Sequence, residues 1–203
     1  MKKSNHRGTK DTKKNMAMDS WRYCVPIAAV LLSVAAGCFS TPTPRYYTLD
    51  MRPSGETRPP VRLVVDRLRP SEALAREGIL IQTSPTQIEY YAADQWAANL
   101  GELVTHKLEA EFADPADASR TVVVTGSILD FEQVDVPGGA EGYVRLALEF
   151  RDAGAGRYDP PLLEKTYEAR VPAEAAAAEA VVRALSQGLK DVAAAIAKDA
   201  AAL

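Results

Sequence analysis

Few side chains in this sequence have the chemistry of a catalytic centre. Downstream of residue 37 the chain holds one histidine, His106, and one cysteine, Cys38. A Cys–His nucleophile pair and a metal site rich in His and Cys are therefore not indicated. The sequence also has no G-x-S-x-G elbow and no glycine-rich phosphate loop. We predict that the protein is not an enzyme, needs no metal or cofactor, and keeps His106 as a solvated or edge residue of a helix.

Charge is divided unevenly along the chain. Residues 1–37 contain 7 of the 24 basic and 2 of the 27 acidic side chains, which leaves 17 and 25, a net charge of -8, in residues 38–203. An acidic domain argues against a nucleic-acid partner, which requires a basic surface. The carboxylates show no defined pairing in the sequence and are expected to be solvated surface groups.

Cys38 follows an apolar segment near the N-terminus. Residues 25–36 form an apolar run of 12 residues, preceded by a basic stretch and followed at once by Gly37 and Cys38. A membrane-spanning helix needs about 20 apolar residues, so this run suits the apolar region of a secretory signal. The end of the run, Ala35-Ala36-Gly37-Cys38, resembles the lipobox of bacterial lipoproteins. That resemblance implies cleavage before Cys38 and acylation of this residue, palmitate being one acyl chain.

These features divide the chain into three parts. We interpret residues 1–37 as a lipoprotein signal peptide, 38–44 as the lipidated cysteine with a proline-containing tether, and 45–203 as a single domain. The seven tether residues, at about 3.3 Å each, reach roughly 23 Å, which keeps the domain close to the bilayer. Three methionines are compatible with the translation start: Met1, Met16 and Met18.

The residue after Cys38 bears on which membrane carries the protein, and the role of Cys38 itself has an alternative interpretation. Phe39, rather than Asp, follows the cysteine, and by the sorting habit of enteric lipoproteins this favours the outer membrane. In the alternative interpretation, Cys38 is only a small residue of an ordinary secretory cleavage site or of a short anchor helix.

Alternation of apolar and polar residues predicts a series of β-strands. Four short strands are expected at residues 45–50, 61–68, 78–83 and 87–91. The last two form a hairpin around Ser84-Pro85-Thr86. Three longer strands follow at residues 120–134, 141–152 and 162–171. Tight loops between strands imply largely antiparallel pairing.

Two helices complete the predicted domain. The first begins with Asp94 as its N-cap, ends near Phe112, and carries an apolar stripe that starts at Trp96. The second is the Ala-rich segment 173–203, whose apolar stripe packs on the sheet or, alternatively, on a coiled-coil partner. The predicted fold class is α+β, with a largely antiparallel sheet of short and long strands and two helices packed on one face.

Aromatic residues cluster in the first half of this domain, and they are the candidates for docking or lipid contact: Tyr46, Tyr47, Tyr90, Tyr91 and Trp96. Adjacent tyrosines in a strand point to opposite faces of the sheet. One ring of each pair can therefore join the core while the other is left on the outer face or at an edge. Exposed aromatic rings mark surfaces that bind a protein or a lipid.

Several short motifs of this chain occur together in one protein family: Cys38, Arg45-Tyr46-Tyr47-Thr48-Leu49, Ile88-Glu89-Tyr90-Tyr91, Gln95-Trp96-Ala97 at a helix start, and a closing helix with Ser186 and Ile196-Ala197. In this combination the chain resembles the ABC-type transport auxiliary lipoproteins, the family of the paraquat-inducible lipoprotein PqiC. The resemblance extends from about Cys38 to Ala197. It departs at Ile81-Gln82-Thr83, where the family has an Arg-containing strand.

The resemblance implies a non-enzymatic role beside MCE-type lipid transport systems, in which an MCE protein forms a hydrophobic conduit across the envelope. It places the lipoprotein in the outer membrane, facing the periplasm, where it docks the conduit. The implied partners are the membrane, an MCE-domain protein, ABC transporter components and phospholipid. One alternative is a lipoprotein with its own lipid pocket between sheet and helices. Another, less favoured, is an envelope hydrolase that uses a serine or His106.

Overall fold

The computed structural model of the protein describes residues 43–53, 59–112, 118, 120–156 and 158–203. The strands in this part of the chain are β1 (Arg45–Tyr47), β2 (Arg62–Val65), β3 (Arg69–Pro70), β4 (Gly78–Ser84), β5 (Gln87–Trp96), β6 (Thr121–Val136), β7 (Gly139–Asp152) and β8 (Leu163–Ala173). The helices are α1 (Leu100–Glu111) and α2 (Ala178–Ala200), with a short 3-10 helix at Glu72–Ala75. The predicted signal peptide, Cys38 and most of the tether lie outside the described residues.

All of these strands belong to one sheet. Six of them follow the order β1-β5-β4-β6-β7-β8, and β2 and β3 pair with β6 outside this order. Strand β7 pairs along one edge of β6, while β2, β3 and β4 pair in succession along the other edge. The pairs β4–β5, β6–β7 and β7–β8 are antiparallel, whereas β1–β5 and the pairs of β6 with β2, β3 and β4 are parallel.

The prediction of a largely antiparallel sheet is therefore wrong, because the sheet is mixed. A tight turn returns the chain beside itself and forces antiparallel pairing, as it does in the β4–β5 and β6–β7 hairpins. The short strands β1 to β4 reach their parallel partners through longer connections, and a long connection leaves the direction of pairing open. The α+β content, with two helices, is confirmed.

Most of the predicted elements are confirmed with shifted ends. The hairpin around Ser84-Pro85-Thr86 and the three long strands are present. The second predicted strand is shorter than expected and is followed by the two-residue β3, in which Pro70 takes part. The C-terminal helix begins at Ala178 rather than at residue 173, because β8 continues through Pro172 to Ala173.

The start of the first helix was predicted wrongly. Helix α1 begins at Leu100, and its N-cap is Asn99, whose side chain accepts a hydrogen bond from the Gly101 backbone N–H at 2.9 Å. Asp94 and Trp96 belong instead to β5, where they pair with Arg45 and Tyr47 of β1. The spacing from Trp96 to Leu100 suits one face of a helix, but pairing with a strand distant in sequence overrides this local preference.

Both helices contribute to a single hydrophobic core. Helix α2 buries its apolar stripe against the sheet: Val182, Leu185, Leu189, Val192 and Ile196. A Cβ atom on Gly142 of β7 would lie 2.8 Å from the backbone nitrogen of Leu185, so only glycine allows the helix to approach this closely. The stripe is thus occupied by the sheet, which corresponds to the first of the two interpretations made from the sequence.

Candidate docking surface

Two exposed apolar side chains lie at the edge formed by β1 and β5. Tyr46 is 65% exposed and Ile88 is 49% exposed. Tyr46 lies opposite Gln95, and Gln95 lies opposite Gly78 of β4. A Cβ atom on Gly78 would lie 3.2 Å from the Tyr90 Cβ, so Tyr90 covers the same face.

Ile88 and Tyr90 are two residues apart in β5, and each faces a residue of β4 in the same ladder. Side chains at this spacing in a strand share a face. Tyr46, Ile88 and Tyr90 therefore form one surface, which we call the edge patch. It lies on the outer face of the sheet, opposite the face that carries Trp96.

Tyr90 is held in place within the edge patch. Its hydroxyl donates a hydrogen bond to the backbone oxygen of Ala73 at 2.8 Å, and the Arg76 guanidinium lies 5.2 Å from its ring centroid. The ring is half-buried and packs partly on the core. A tyrosine fixed in this way loses little conformational freedom when a partner covers it.

The other two tyrosines point to the face that carries the helices. Tyr47 packs against the core, and burial together with a hydrogen bond to Asp94 raises the pKa of its hydroxyl. The Tyr91 hydroxyl donates to Oε1 of Gln133. Burial, and then the negative charges of Asp94 and Asp135, raise the pKa of Tyr91 to about 12. Both hydroxyls therefore stay protonated and act as hydrogen-bond donors at neutral pH.

A charged pair attaches β1 to the rest of the domain. The Arg45 guanidinium donates from Nε to Oδ1 of Asp94 at 2.6 Å and from Nη2 to Oδ2 at 2.9 Å. Asp94 is buried while Arg45 is largely exposed, and the carboxylate holds the pKa of Arg45 above its ordinary value. Bidentate pairing of this kind fixes geometry as well as charge. It keeps Tyr46, between Arg45 and Tyr47, in a defined position.

Trp96, one of the five docking candidates proposed from the sequence, is buried in the core and is not available for docking. It is 3% exposed, and its ring packs edge-to-face on Phe131 with the centroids 5.7 Å apart. The residue lies in β5 on the helix face, where the core needs a large apolar side chain. Of the five aromatic candidates, Tyr46 is thus exposed, Trp96 is buried, and the other three, Tyr47, Tyr90 and Tyr91, are half-buried.

The sequence did not identify Ile88 of the edge patch, or Arg76, which contacts Tyr90 of the patch, as site residues. Ile88 was seen only as part of a family motif, and Arg76 was not singled out. The two-residue spacing of Ile88 and Tyr90 is the signal that places them on one face. Nothing in the sequence shows that this face is left uncovered at the edge.

The remaining side chains that could do chemistry, His106 and Ser186, do not form a catalytic arrangement with each other. His106 is exposed on α1, as the sequence suggested. Ser186 donates from Oγ to the Val182 carbonyl and accepts from the Asp50 backbone N–H at 3.0 Å. It therefore joins the segment that follows β1 to α2. Within the described residues, no cluster of three or more His, Cys, Asp or Glu side chains is arranged to hold a metal ion.

A depression of about 430 Å³, lined by polar and apolar groups in about equal parts, lies on the outer face of the long strands. Its walls include Thr125, Ala147, Glu149, Lys165 and Thr166. Lipid pockets are lined predominantly by apolar side chains. This depression, which is not predominantly apolar and lies away from the helices, does not correspond to the pocket between sheet and helices considered from the sequence.

The same outer face contains a buried carboxyl group, Glu132 on β6. It lies opposite Tyr143 of β7, whose ring stacks under the Arg170 guanidinium at 3.7 Å. Asp130 of the same strand pairs with Arg145. Burial first, and then the negative charge of Asp130, raise the pKa of Glu132 to about 7, although Arg145 and Arg170 oppose the shift.

This carboxyl group should make stability depend on pH. In the unfolded chain it titrates near 4.5, so between pH 4.5 and 7 the folded state holds one proton more than the unfolded state. The free energy of unfolding should therefore fall as pH rises through this range, by up to about 3 kcal/mol at roughly 1.4 kcal/mol per pKa unit. Glu132→Gln should remove this slope and exceed the wild type in stability at pH 8, as measured by urea denaturation at several pH values. The exposed Glu164→Gln is the matched control and should keep the wild-type slope; an unchanged slope in Glu132→Gln would contradict the assignment.

Taken together, the described residues form an α+β domain with a mixed sheet and an accessible aromatic edge. None of its helices in the described part is long and apolar enough to cross a bilayer. Tyr47 and Arg45 both hydrogen-bond to Asp94, while Tyr90 and Tyr91 donate to Ala73 and Gln133. Such an arrangement suits a protein that binds another molecule at a surface.

Comparison with known proteins identifies the family. Residues 47–197 match the sequence model of a family described as the ABC-type transport auxiliary lipoprotein component. This match covers well over half of the chain, so the chain belongs to that family, and the resemblance drawn from the sequence is confirmed. Membership associates the chain with ABC-type transport and with the lipoproteins of the cell envelope. No curated protein matches the chain.

Solved structures share the fold. A crystal structure of a protein from Xanthomonas campestris aligns with a TM-score of 0.63 at 15% identity, covering 76% of this chain and 92% of that chain. A crystal structure of an uncharacterised protein aligns with a TM-score of 0.60 at 19% identity, covering 77% and 98%. At these identities the likeness concerns the fold alone.

Proposed function

We propose that the protein is a non-enzymatic accessory lipoprotein of an ABC/MCE-type lipid transport system. Acyl chains on Cys38 anchor it in the outer membrane, and its domain faces the periplasm, where it docks the end of the trans-envelope conduit. Family membership supports the transport role, and the edge patch is the observation that carries the docking role. Exposed aromatic side chains on a rigid scaffold are typical of contact sites between proteins.

Anchoring and docking reinforce each other in this proposal. A buried acyl chain contributes about 0.8 kcal/mol per CH₂ group, so two or three chains on one residue make attachment effectively permanent. The tether confines the domain to a thin layer next to the membrane, which raises its effective concentration for a partner that ends there. A modest interface, such as a few aromatic residues at a sheet edge, is then sufficient.

Co-immunoprecipitation from crosslinked cells tests this function. The full-length protein should recover an MCE-domain protein and ABC transporter components. Tyr46→Ala should lower that recovery by about fivefold or more, because truncating an aromatic contact residue at an interface costs about 1 kcal/mol or more. Tyr158→Ala is the matched control, since Tyr158 is 94% exposed but lies in the β7–β8 loop. If no transporter component is recovered with the wild type, the proposed function is wrong.

A further inference from the structure

The opposite edges of the sheet at β8 and at β5 differ in how well they are protected. Strand β8 forms one edge, and five of its eleven residues are charged or proline: Glu164, Lys165, Glu168, Arg170 and Pro172. Charged side chains and proline on an edge strand prevent the addition of a further strand. All five of these side chains are exposed. The β8 edge is therefore protected against the addition of another strand.

The opposite edge lacks this protection. Strand β1 pairs only with Asp94–Trp96 of β5, so within the described residues no strand covers residues 87–93 on that side. This stretch, Gln87-Ile88-Glu89-Tyr90-Tyr91-Ala92-Ala93, contains one charged residue and no proline. It also carries Ile88, a β-branched apolar residue that is half exposed. An uncovered edge with apolar side chains is a template for strand pairing.

We propose that the edge of β5 at residues 87–91 binds an extended segment of the partner protein as an added strand. This inference rests on the proposed function and specifies how docking occurs. Backbone hydrogen bonds would supply the affinity, and alternate side chains the specificity. Strand β1 pairs with the same side of β5 farther along, at Asp94–Trp96, so this side of β5 can accommodate a strand.

The surroundings of this edge define the chemistry of the added segment. The ladder between β4 and β5 is regular from Ile88 to Tyr90 and has register shifts on both sides of this stretch, so the segment that pairs regularly is short, about three residues. On the outer face, Ile88 and Tyr90 require apolar partners. On the other face, the exposed Glu89 accepts a hydrogen bond from Gln87 and favours a basic side chain opposite it. The segment is thus rich in β-formers, apolar on one face, with a basic residue on the other.

Site-specific photo-crosslinking in living cells tests the inference with the full-length, membrane-anchored protein. The variant Ile88→p-benzoylphenylalanine should give a discrete adduct whose crosslinked peptide, identified by mass spectrometry, is such a segment of a transporter component. The same replacement at Val64, which is 43% exposed on β2, is the matched control and should give no such adduct.

A charge placed on the edge provides the second measurement. Ile88→Lys imitates the protection found on β8 and should reduce co-purification of the transporter components by about fivefold or more, whereas Val64→Lys should leave it unchanged. Equal far-UV circular dichroism of the two variants verifies that both are folded.

The possible results separate this inference from the proposed function. Recovery of transporter components, with adducts that map to other surfaces or with no effect of Ile88→Lys, would overturn strand addition and leave the function standing. Adducts to a second copy of the chain or to its own residues 38–44 would overturn the choice of occupant. Failure to recover any transporter component from wild-type cells would overturn the function itself.

Discussion

Replacing Cys38 by alanine is expected to abolish attachment of the protein to the membrane. The sequence has no second cysteine downstream of residue 37, so no other thiol in the predicted mature protein can take the acyl chains. Metabolic labelling with palmitate should fall to background, and cell fractionation should move the domain from the membrane to the periplasm. The effect should be nearly complete, since the acyl chains provide the whole of the proposed anchor.

The matched control for this experiment is Cys24→Ala. Cys24 lies within the predicted signal peptide and should be absent from the mature protein, so palmitate labelling should be unchanged. Persistent labelling of Cys38→Ala would show that the lipobox interpretation is wrong. Loss of labelling together with retention in the membrane would show that another element attaches the protein.

Replacing Trp96 by alanine should cause the largest loss of stability. The indole is 3% exposed and packs on Phe131, whose side chain is fully buried, so the variant leaves a large cavity between β5 and β6. Truncation of a buried Trp or Phe to Ala costs about 3–5 kcal/mol, a large fraction of the roughly 5–15 kcal/mol that stabilises a typical domain. The free energy of unfolding, measured by urea denaturation, should fall by this amount.

Tyr46→Ala is the control that separates core from surface among the aromatic residues. Tyr46 is 65% exposed, and substitutions at such positions usually change stability by no more than about 0.5 kcal/mol. We therefore expect Tyr46→Ala to weaken docking with little loss of stability. Trp96→Ala should lower stability, while the molecules that remain folded should dock like the wild type. Equal stability of the two variants would contradict the assignment of Trp96 to the core.

Local patterns in the sequence were sufficient for much of the fold. The three long strands and the hairpin at Ser84-Pro85-Thr86 were predictable because alternation and turn residues act within a few positions. The C-terminal helix was predictable because its apolar stripe persists over several turns. The start of α1 was not, since the residues from Asp94 to Trp96 are held in β5 by pairing with β1, which lies 49 residues earlier in the chain.

The candidate surface could be predicted only in part. Alternation showed that the members of each tyrosine pair point to opposite faces, and Tyr46 and Tyr47 do so. It could not show which face the helices cover, nor that β1 ends after three residues and leaves part of β5 open. Consequently Trp96 was grouped with surface aromatics, and the contribution of Ile88 to the surface was missed.

The sequence by itself determined the family, the division of charge between residues 1–37 and 38–203, and the number and order of most secondary-structure elements. These properties depend on residue identity and on spacing over short distances. Only the tertiary structure decided the parallel pairing of the short strands, the burial of Trp96 and the exposure of the β5 edge. Each of these depends on contacts between segments far apart in the chain, and no local pattern encodes which segments meet.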